Sequence, residues 1–241
     1  MSNEVGPIYP GIIFDLDGTL IESTIDFKLM RYRVLQYLSE IDGKDILDGS
    51  DTIANNMKRM REALGRDHGS AYITTMERRV EDICNEVEMM EVHATKEIKG
   101  ARDVLIYLRK KGHRVGILTR GSRAYAETAL QAAGLDHLFD AMVCRDDHDP
   151  IEAKPHPEAL RRVAMALGVP IERCLLVGDH LIDLECAKSA GSAFLAVLSG
   201  HHDREGWEAH GVENVIPSVA EMPEFIQRID GPGRNEASYL S

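Results

Sequence analysis

Two aspartates one residue apart, Asp15 and Asp17, end the apolar run Ile12-Ile13-Phe14 and are followed at once by Gly18 and Thr19. The run reads as a short buried strand, and Gly18 as the point where the backbone turns. In an open parallel sheet, chemistry gathers at the carboxyl ends of strands. Two carboxylates there invite a hard divalent cation, and one of them could attack phosphorus. Asp and Gly are also ordinary turn residues, so the pair alone reads equally well as an acidic turn. Three later segments share its form. Gly116-Ile117-Leu118-Thr119-Arg120-Gly121 is an apolar strand ending in a hydroxyl, with a glycine two residues on. Lys154-Pro155-His156-Pro157 sets a lysine in a stiff loop bounded by prolines. Leu175-Leu176-Val177-Gly178-Asp179-His180-Leu181-Ile182-Asp183 is a strand ending in Gly-Asp, with a second aspartate four residues further.

In that order, Asp-x-Asp-Gly-Thr, Thr, Lys-Pro and Gly-Asp-x-x-x-Asp resemble the four motifs of the haloacid dehalogenase-like (HAD) hydrolase superfamily. The resemblance runs from about Gly11 to Ser199, and its details around Lys154 and Gly178 are most similar to the phosphoglycolate phosphatase-like branch. It implies a Rossmann-like α/β core with a parallel sheet, an inserted helical cap, and phosphatase chemistry with Mg²⁺. It assigns Asp15 as the nucleophile and Asp17 as the general acid, then base, of a reaction through a phospho-aspartate. Splitting a slow hydrolysis in two in this way lowers both barriers.

The same resemblance implies Asp15, the main-chain carbonyl of Asp17 and Asp179 as metal ligands. Asp183 is then a further ligand or the acceptor for a metal-bound water; a plain acid in the first turn of a helix is the other reading, favoured by the helix dipole. Thr119 is expected to donate its hydroxyl to a phosphoryl oxygen, with main-chain N–H groups near Arg120 and Gly121 helping. Family members often carry Asn where this chain has Arg120, which either touches phosphate or points to solvent. Lys154 is expected to supply fixed positive charge to the phosphoryl group and to Asp15. His156 reads as a solvated loop residue. His201-His202-Asp203 follows a strand end but lacks a third ligand at recognisable spacing, so it reads as a polar loop rather than a metal site.

The elements that must position these residues follow from periodicity. Helices are expected over 101–111, 122–133, 157–167 and 183–190, alternating with strands over 113–118, 141–144, 174–177 and 193–198, and a last edge strand over 214–216. Gly112, Gly134, Gly168 and Gly191 each follow a helical stretch, where a left-handed cap is wanted. A short helix follows Val219, and the polar tail 231–241 is expected to fray. The segment 21–99 differs: it has no proline and almost no strand-like run. Ile25, Leu29, Tyr32, Leu35 and Leu38 recur at helical spacing, as do Ile53, Met57, Met60 and Leu64, then Ile73, Met76, Val80, Ile83 and Val87. The expected organisation is a catalytic core of 1–20 with 100–230, a helical cap of 21–99, and the tail. Six of the ten methionines fall in the cap segment, where a gap-filling core role is the natural one. Substrate specificity is expected to reside in cap side chains, with Asp26, Lys28 and Arg31 as candidates that read equally as a solvated face.

Composition narrows the partners. A chain of 241 residues with 44% hydrophobic and 28% charged residues suits a globular protein with a sizeable core. A formal net charge of −12 disfavours nucleic acid and anionic membrane as partners, while leaving room for a small phosphorylated metabolite held by local positive charge. The four cysteines are scattered, no run approaches a membrane span, and residues 1–6 do not resemble a signal peptide, so a cytoplasmic location is expected. Asp17 argues against dehalogenase chemistry. The rivals are a phosphosugar mutase with the same motif set and, from another class, a binding or regulatory protein that kept the fold.

Overall fold

The computed structural model describes residues 7–43 and 45–230 and divides the chain into two compact units, 24–92 and the remainder. The tail 231–241 and residues 1–6 lie outside the described residues.

The larger unit is built on a parallel sheet. Its strands are β1 (Gly11–Phe14), β4 (Arg114–Leu118), β5 (Ala141–Val143), β6 (Cys174–Gly178), β7 (Ala193–Val197) and β8 (Val215–Ile216), in the order β5-β4-β1-β6-β7-β8. A separate antiparallel ladder pairs β2 (Ile21–Glu22) with β3 (Lys96–Glu97). The helices of this unit are α3 (Ala101–Lys110), α4 (Arg123–Ala133), α5 (Pro157–Leu167), α6 (Leu181–Ala190), α7 (Arg204–Ala209) and α8 (Met222–Asp230). This is the Rossmann-like α/β core that the resemblance implies, on the parallel sheet that the alternating pattern predicts. Every residue of β1 and of β6 is buried, as expected of central strands whose apolar side chains point to both faces of a covered parallel sheet.

Register explains why the chemistry converges. Phe14 pairs with Ile117 on one side and Val177 on the other. The residues that follow, Asp15, Thr119 and Asp179, therefore leave three adjacent strands at the same edge. The chain passes from β1 outward to β4 and β5, then returns to lay β6, β7 and β8 on the opposite side of β1. That reversal is the switch point at which open α/β sheets bind ligands.

The core packs tightly where helix meets sheet. The buried face of α5, Ala159, Leu160, Val163, Ala164 and Leu167, joins Ile13, Leu118 and Leu176 in one cluster. Each large apolar side chain buried there contributes roughly 1.5–3 kcal/mol. Gly116 permits the close approach of α5, since a Cβ at that position would stand 2.6 Å from Val163 Cγ1. All four glycines expected at helix ends have positive φ.

The smaller unit holds α1 (Phe27–Leu38) and α2 (Ile53–Glu88), the latter kinked at Gly69 with φ 77°. The stripe predicted for the second half of α2 is buried throughout: Ile73, Met76, Val80, Ile83 and Val87. In α1 the buried face is Met30, Val34 and Leu38, and Tyr32 is exposed. Of the expected stripe, Ile25 and Leu38 are buried, whereas Leu29 and Leu35 are half-buried, because the sequence offers apolar residues on two faces of this helix. The unit also begins at residue 24 and ends at 92, inside the 21–99 expected for it, because the β2–β3 ladder ties residues 21–22 and 96–97 to the core. Two-residue strands leave no pattern in a sequence. Asp26 caps α1 by accepting from Leu29 N at 2.8 Å, so this specificity candidate has a structural duty. Among the described residues no helix is long and apolar enough to cross a membrane.

Candidate active site

Asp15 continues β1 by one residue, its N–H donating to Val177 O at 2.9 Å, and its carboxylate is buried. Asp179 follows β6 directly, and Asp183 lies in the first turn of α6. One carboxylate oxygen from each of Asp15, Asp179 and Asp183 lies within 4.8 Å of the others. Lys154 projects into the same cluster at 3% exposure, donating to Asp15 Oδ1 and, at 2.7 Å, to Asp183 Oδ1.

The electrostatics of this cluster test whether it suits a cation. Burial raises the pKa of Asp179, and the Asp15 and Asp183 charges add to the effect. Burial raises that of Asp183 as well, with Asp15 adding to it, against the lowering pull of Lys154. Burial alone would lower the Lys154 ammonium; the Asp15 and Asp183 charges override it and hold the pKa raised. Three buried carboxylates thus face one buried ammonium, an excess of negative charge that a divalent cation would offset. An all-oxygen donor set fits a hard cation.

Glycines let the carboxylates close in. A Cβ on Gly178 would stand 2.6 Å from Asp183 Cγ, and one on Gly200 would stand 2.0 Å from Asp179 Oδ2. Gly18 turns with φ 76°, and a Cβ there would meet Asp179 Oδ2 at 2.7 Å. Asp179 is further held by Thr19 Oγ1 at 3.3 Å and by the His201 N–H at 2.9 Å. Gly200→Ala should therefore displace Asp179. Loss of the support that orients a metal-ligating carboxylate weakens binding of a divalent cation by about 10–100-fold. Titration of parent and variant with a divalent cation, followed by thermal shift, checks this; unchanged affinity would show that the loop yields instead.

Thr119 is buried, and its Oγ1 accepts from Gly121 N at 2.9 Å. Arg120 is half-buried, and its guanidinium donates to the main-chain carbonyl of Lys154, while Arg145 holds the Arg120 carbonyl at 2.7 Å. Its side chain thus braces the lysine loop, a third option beside the two weighed from sequence. Asp17 is half-buried, and its Oδ1 accepts from Tyr125 OH at 2.5 Å. The Asp17 carboxylate is not among the three clustered carboxylates. His156 caps α5, accepting from Glu158 N at 3.3 Å. His201 and His202 gather with His180, at ring separations of 4.8 Å and 5.7 Å from it. The sequence reading missed Thr19, Tyr125, Gly200 and His201 as neighbours of the acids; Thr19, inside the Asp-x-Asp-Gly-Thr run, and Gly200-His201, just past a strand end, carried a positional signal, and Tyr125 carried none.

The family model for haloacid dehalogenase-like hydrolases matches residues 12–197. The chain belongs to that family. Pyrophosphatase PpaX of Bacillus mycoides (strain KBAB4) is 27% identical over 227 residues, covering 91% of this chain and 98% of that protein. A hydrolase from Pseudomonas syringae superposes with a TM-score of 0.66 at 26% identity, covering 91% of this chain and 98% of that one. The fold is also that of a predicted phosphoglycolate phosphatase from Haemophilus somnus 129PT, with a TM-score of 0.61 at 19% identity over 91% of this chain and 99% of the other. The resemblance read from the four motifs holds, and with it the reading of this HAD chain as a phosphoric-ester hydrolase.

Proposed function

We propose that this HAD hydrolase is a Mg²⁺-dependent phosphatase that cleaves a small phosphorylated metabolite through a phosphoryl group carried on Asp15. The observation that carries the reading is the buried strand-end carboxylate of Asp15, bonded to Lys154 and clustered with Asp179 and Asp183. An Asp15 oxygen attacks phosphorus as the bond to the leaving oxygen breaks, and that oxygen takes a proton from Asp17. Water then attacks the phosphorus of the acyl phosphate, Asp17 takes the proton, and Asp15 returns as a carboxylate.

Thr119 accepts from Gly121 N, which leaves its own proton to give to a phosphoryl oxygen. The main-chain N–H groups near Arg120 and Gly121 assist, and the Arg120 side chain acts through the Lys154 loop that it braces. Lys154 offsets the charge that gathers between Asp15 and the phosphoryl group. Asp15, Asp179, Asp183 and the main-chain carbonyl of Asp17 are the ligands we assign to Mg²⁺. Its contribution would be neutralising charge, so that a phosphate dianion can approach a carboxylate. The helical unit interrupts the core chain soon after the Asp15–Thr19 turn, and we assign it the selection of small substrates, as a cap. The four cysteines are free, which suits a reducing cytoplasm.

The curated relative named a pyrophosphatase supports a compact, highly charged substrate. The net charge of −12 works against polyanions at long range. The test is a kcat/KM panel of pyrophosphate, 2-phosphoglycolate, short phosphosugars, nucleoside monophosphates and a phosphopeptide, with Mg²⁺, with Ca²⁺ and after chelation. Activity should require Mg²⁺, and Ca²⁺ should support it poorly because its looser coordination misplaces the phosphoryl group. Full activity without metal would remove the cation from the reading. A preference for the nucleotide or the peptide would overturn the small-metabolite assignment. Isomerised sugar phosphate in place of free phosphate would make the chain a mutase.

A further inference from the structure

Beside the acid cluster, one described contact reaches Asp17 from a part of the chain that none of the four motifs includes. Tyr125 is the third residue of α4, and its ring is fully buried. Its phenol donates to Asp17 Oδ1 at 2.5 Å, across 108 positions of sequence. The turn that presents Thr119 also fixes this tyrosine. Gly121 N donates to Thr119 Oγ1, Ser122 caps α4 by accepting from Tyr125 N at 3.3 Å, and the ring lies over Gly121, where a Cβ would meet Tyr125 Cδ1 at 2.7 Å. The absence of a side chain at Gly121 is therefore needed by the tyrosine, whatever its main-chain N–H does for phosphate.

We infer that Tyr125 is a positioning residue for Asp17, holding its carboxyl group in the one rotation that delivers a proton to the leaving oxygen. The inference rests on the role proposed above for Asp17. A carboxyl group at the end of a turn rotates about its terminal torsion with little resistance, because that torsion is broad. A proton donor, by contrast, must sit within hydrogen-bond reach of its target and at a workable angle. An O–H bond from a ring locked in the core supplies that constraint. A phenylalanine would fill the same space and supply none of it.

Leaving groups separate this role from a structural one. Cleavage to a poorly stabilised alkoxide needs a proton in the first transition state, whereas cleavage to 4-nitrophenolate or to an acyl phosphate's carboxylate hardly does. Because kcat/KM reports steps through phosphoryl transfer to Asp15, it isolates the acid role from the later base role. The experiment measures kcat/KM with Mg²⁺ across alkyl, aryl and acyl phosphates for the parent, Tyr125→Phe, Asp17→Asn and the double variant. Tyr125→Phe should lose about 10- to 100-fold on alkyl phosphates, the span of a lost hydrogen bond to the charge that develops on Asp17 as its proton leaves. It should stay within about threefold on the aryl and acyl substrates. In the Asp17→Asn background the second substitution should change nothing further, because the group it positions is gone.

Parallel losses on every leaving group, or further loss in the Asp17→Asn background, would overturn the assignment and leave Tyr125 as core. No loss on any substrate would overturn it equally. The parent separates the two levels: a parent inactive on the whole panel overturns the phosphatase reading together with the inference. An active parent with parallel losses overturns only Tyr125. Thermal denaturation with melting close to that of the parent confirms that Tyr125→Phe is folded.

Discussion

Asp15→Asn should abolish turnover while the protein still folds. Asn has nearly the volume of Asp and can keep the main-chain bond from residue 15 to Val177 O, so β1 has no reason to move. What it lacks is a carboxylate to attack phosphorus. No neighbour can substitute, because Asp179 and Asp183 leave different strand and helix ends and the Lys154 ammonium is not a nucleophile while protonated. Loss of a nucleophile that acts with its partners as a unit costs about 10⁵–10⁶-fold in kcat. Phosphate release, measured under saturating substrate and Mg²⁺, checks this, with circular dichroism as the control for folding. Turnover within tenfold of the parent would take the nucleophilic role away from Asp15.

Much of the core was legible in the sequence because its signals are local. An apolar run that stops at Asp15, another at Thr119 and a third at Asp179 can each be read within ten residues, and a parallel sheet brings such stops to one edge. What could not be read is what depends on contact at long separation. The hydroxyl of Thr19 reaches Asp179 across 160 positions, and the His201 N–H reaches it through main chain, which carries no side-chain signature. Arg120 was weighed as a phosphate contact or a solvent-facing group, and its guanidinium instead meets the Lys154 carbonyl, a partner no spacing rule suggests. In α1 the sequence FKLMRYRVLQYL carries apolar residues on two faces, so periodicity identifies a helix and its buried Leu38 without choosing Met30 and Val34 over Leu29, Tyr32 and Leu35.

The burial of Lys154 leads to the second large expectation. Its ammonium is the counter-charge that both Asp15 and Asp183 contact directly, and all three groups are buried. Lys154→Met keeps the straight chain and removes the charge. Removing one partner of a buried pair leaves the others uncompensated and costs about 3–5 kcal/mol. For a chain of this size each kcal/mol lowers the melting temperature by roughly 2–4 °C. The effect should depend on pH with a definite sign. Burial and neighbouring carboxylates hold Asp179 and Asp183 above their unfolded values, and Lys154 pulls both down; without it they stand higher still, so the folded state binds more protons than the unfolded one. Stability of the variant should then rise as pH falls from 7.5 towards 5, and the gap to the parent should narrow. Mg²⁺ should narrow it too, by supplying positive charge to the same carboxylates. Turnover should not recover with stability, since the charge that Lys154 offers the phosphoryl group is gone, a loss of about 10²–10³-fold in kcat. Melting curves at pH 7.5 and 5.5, each with and without Mg²⁺, alongside kcat at pH 7.5, test both halves. A variant that melts with the parent at pH 7.5 in the absence of metal would mean that Lys154 is not what balances the acids.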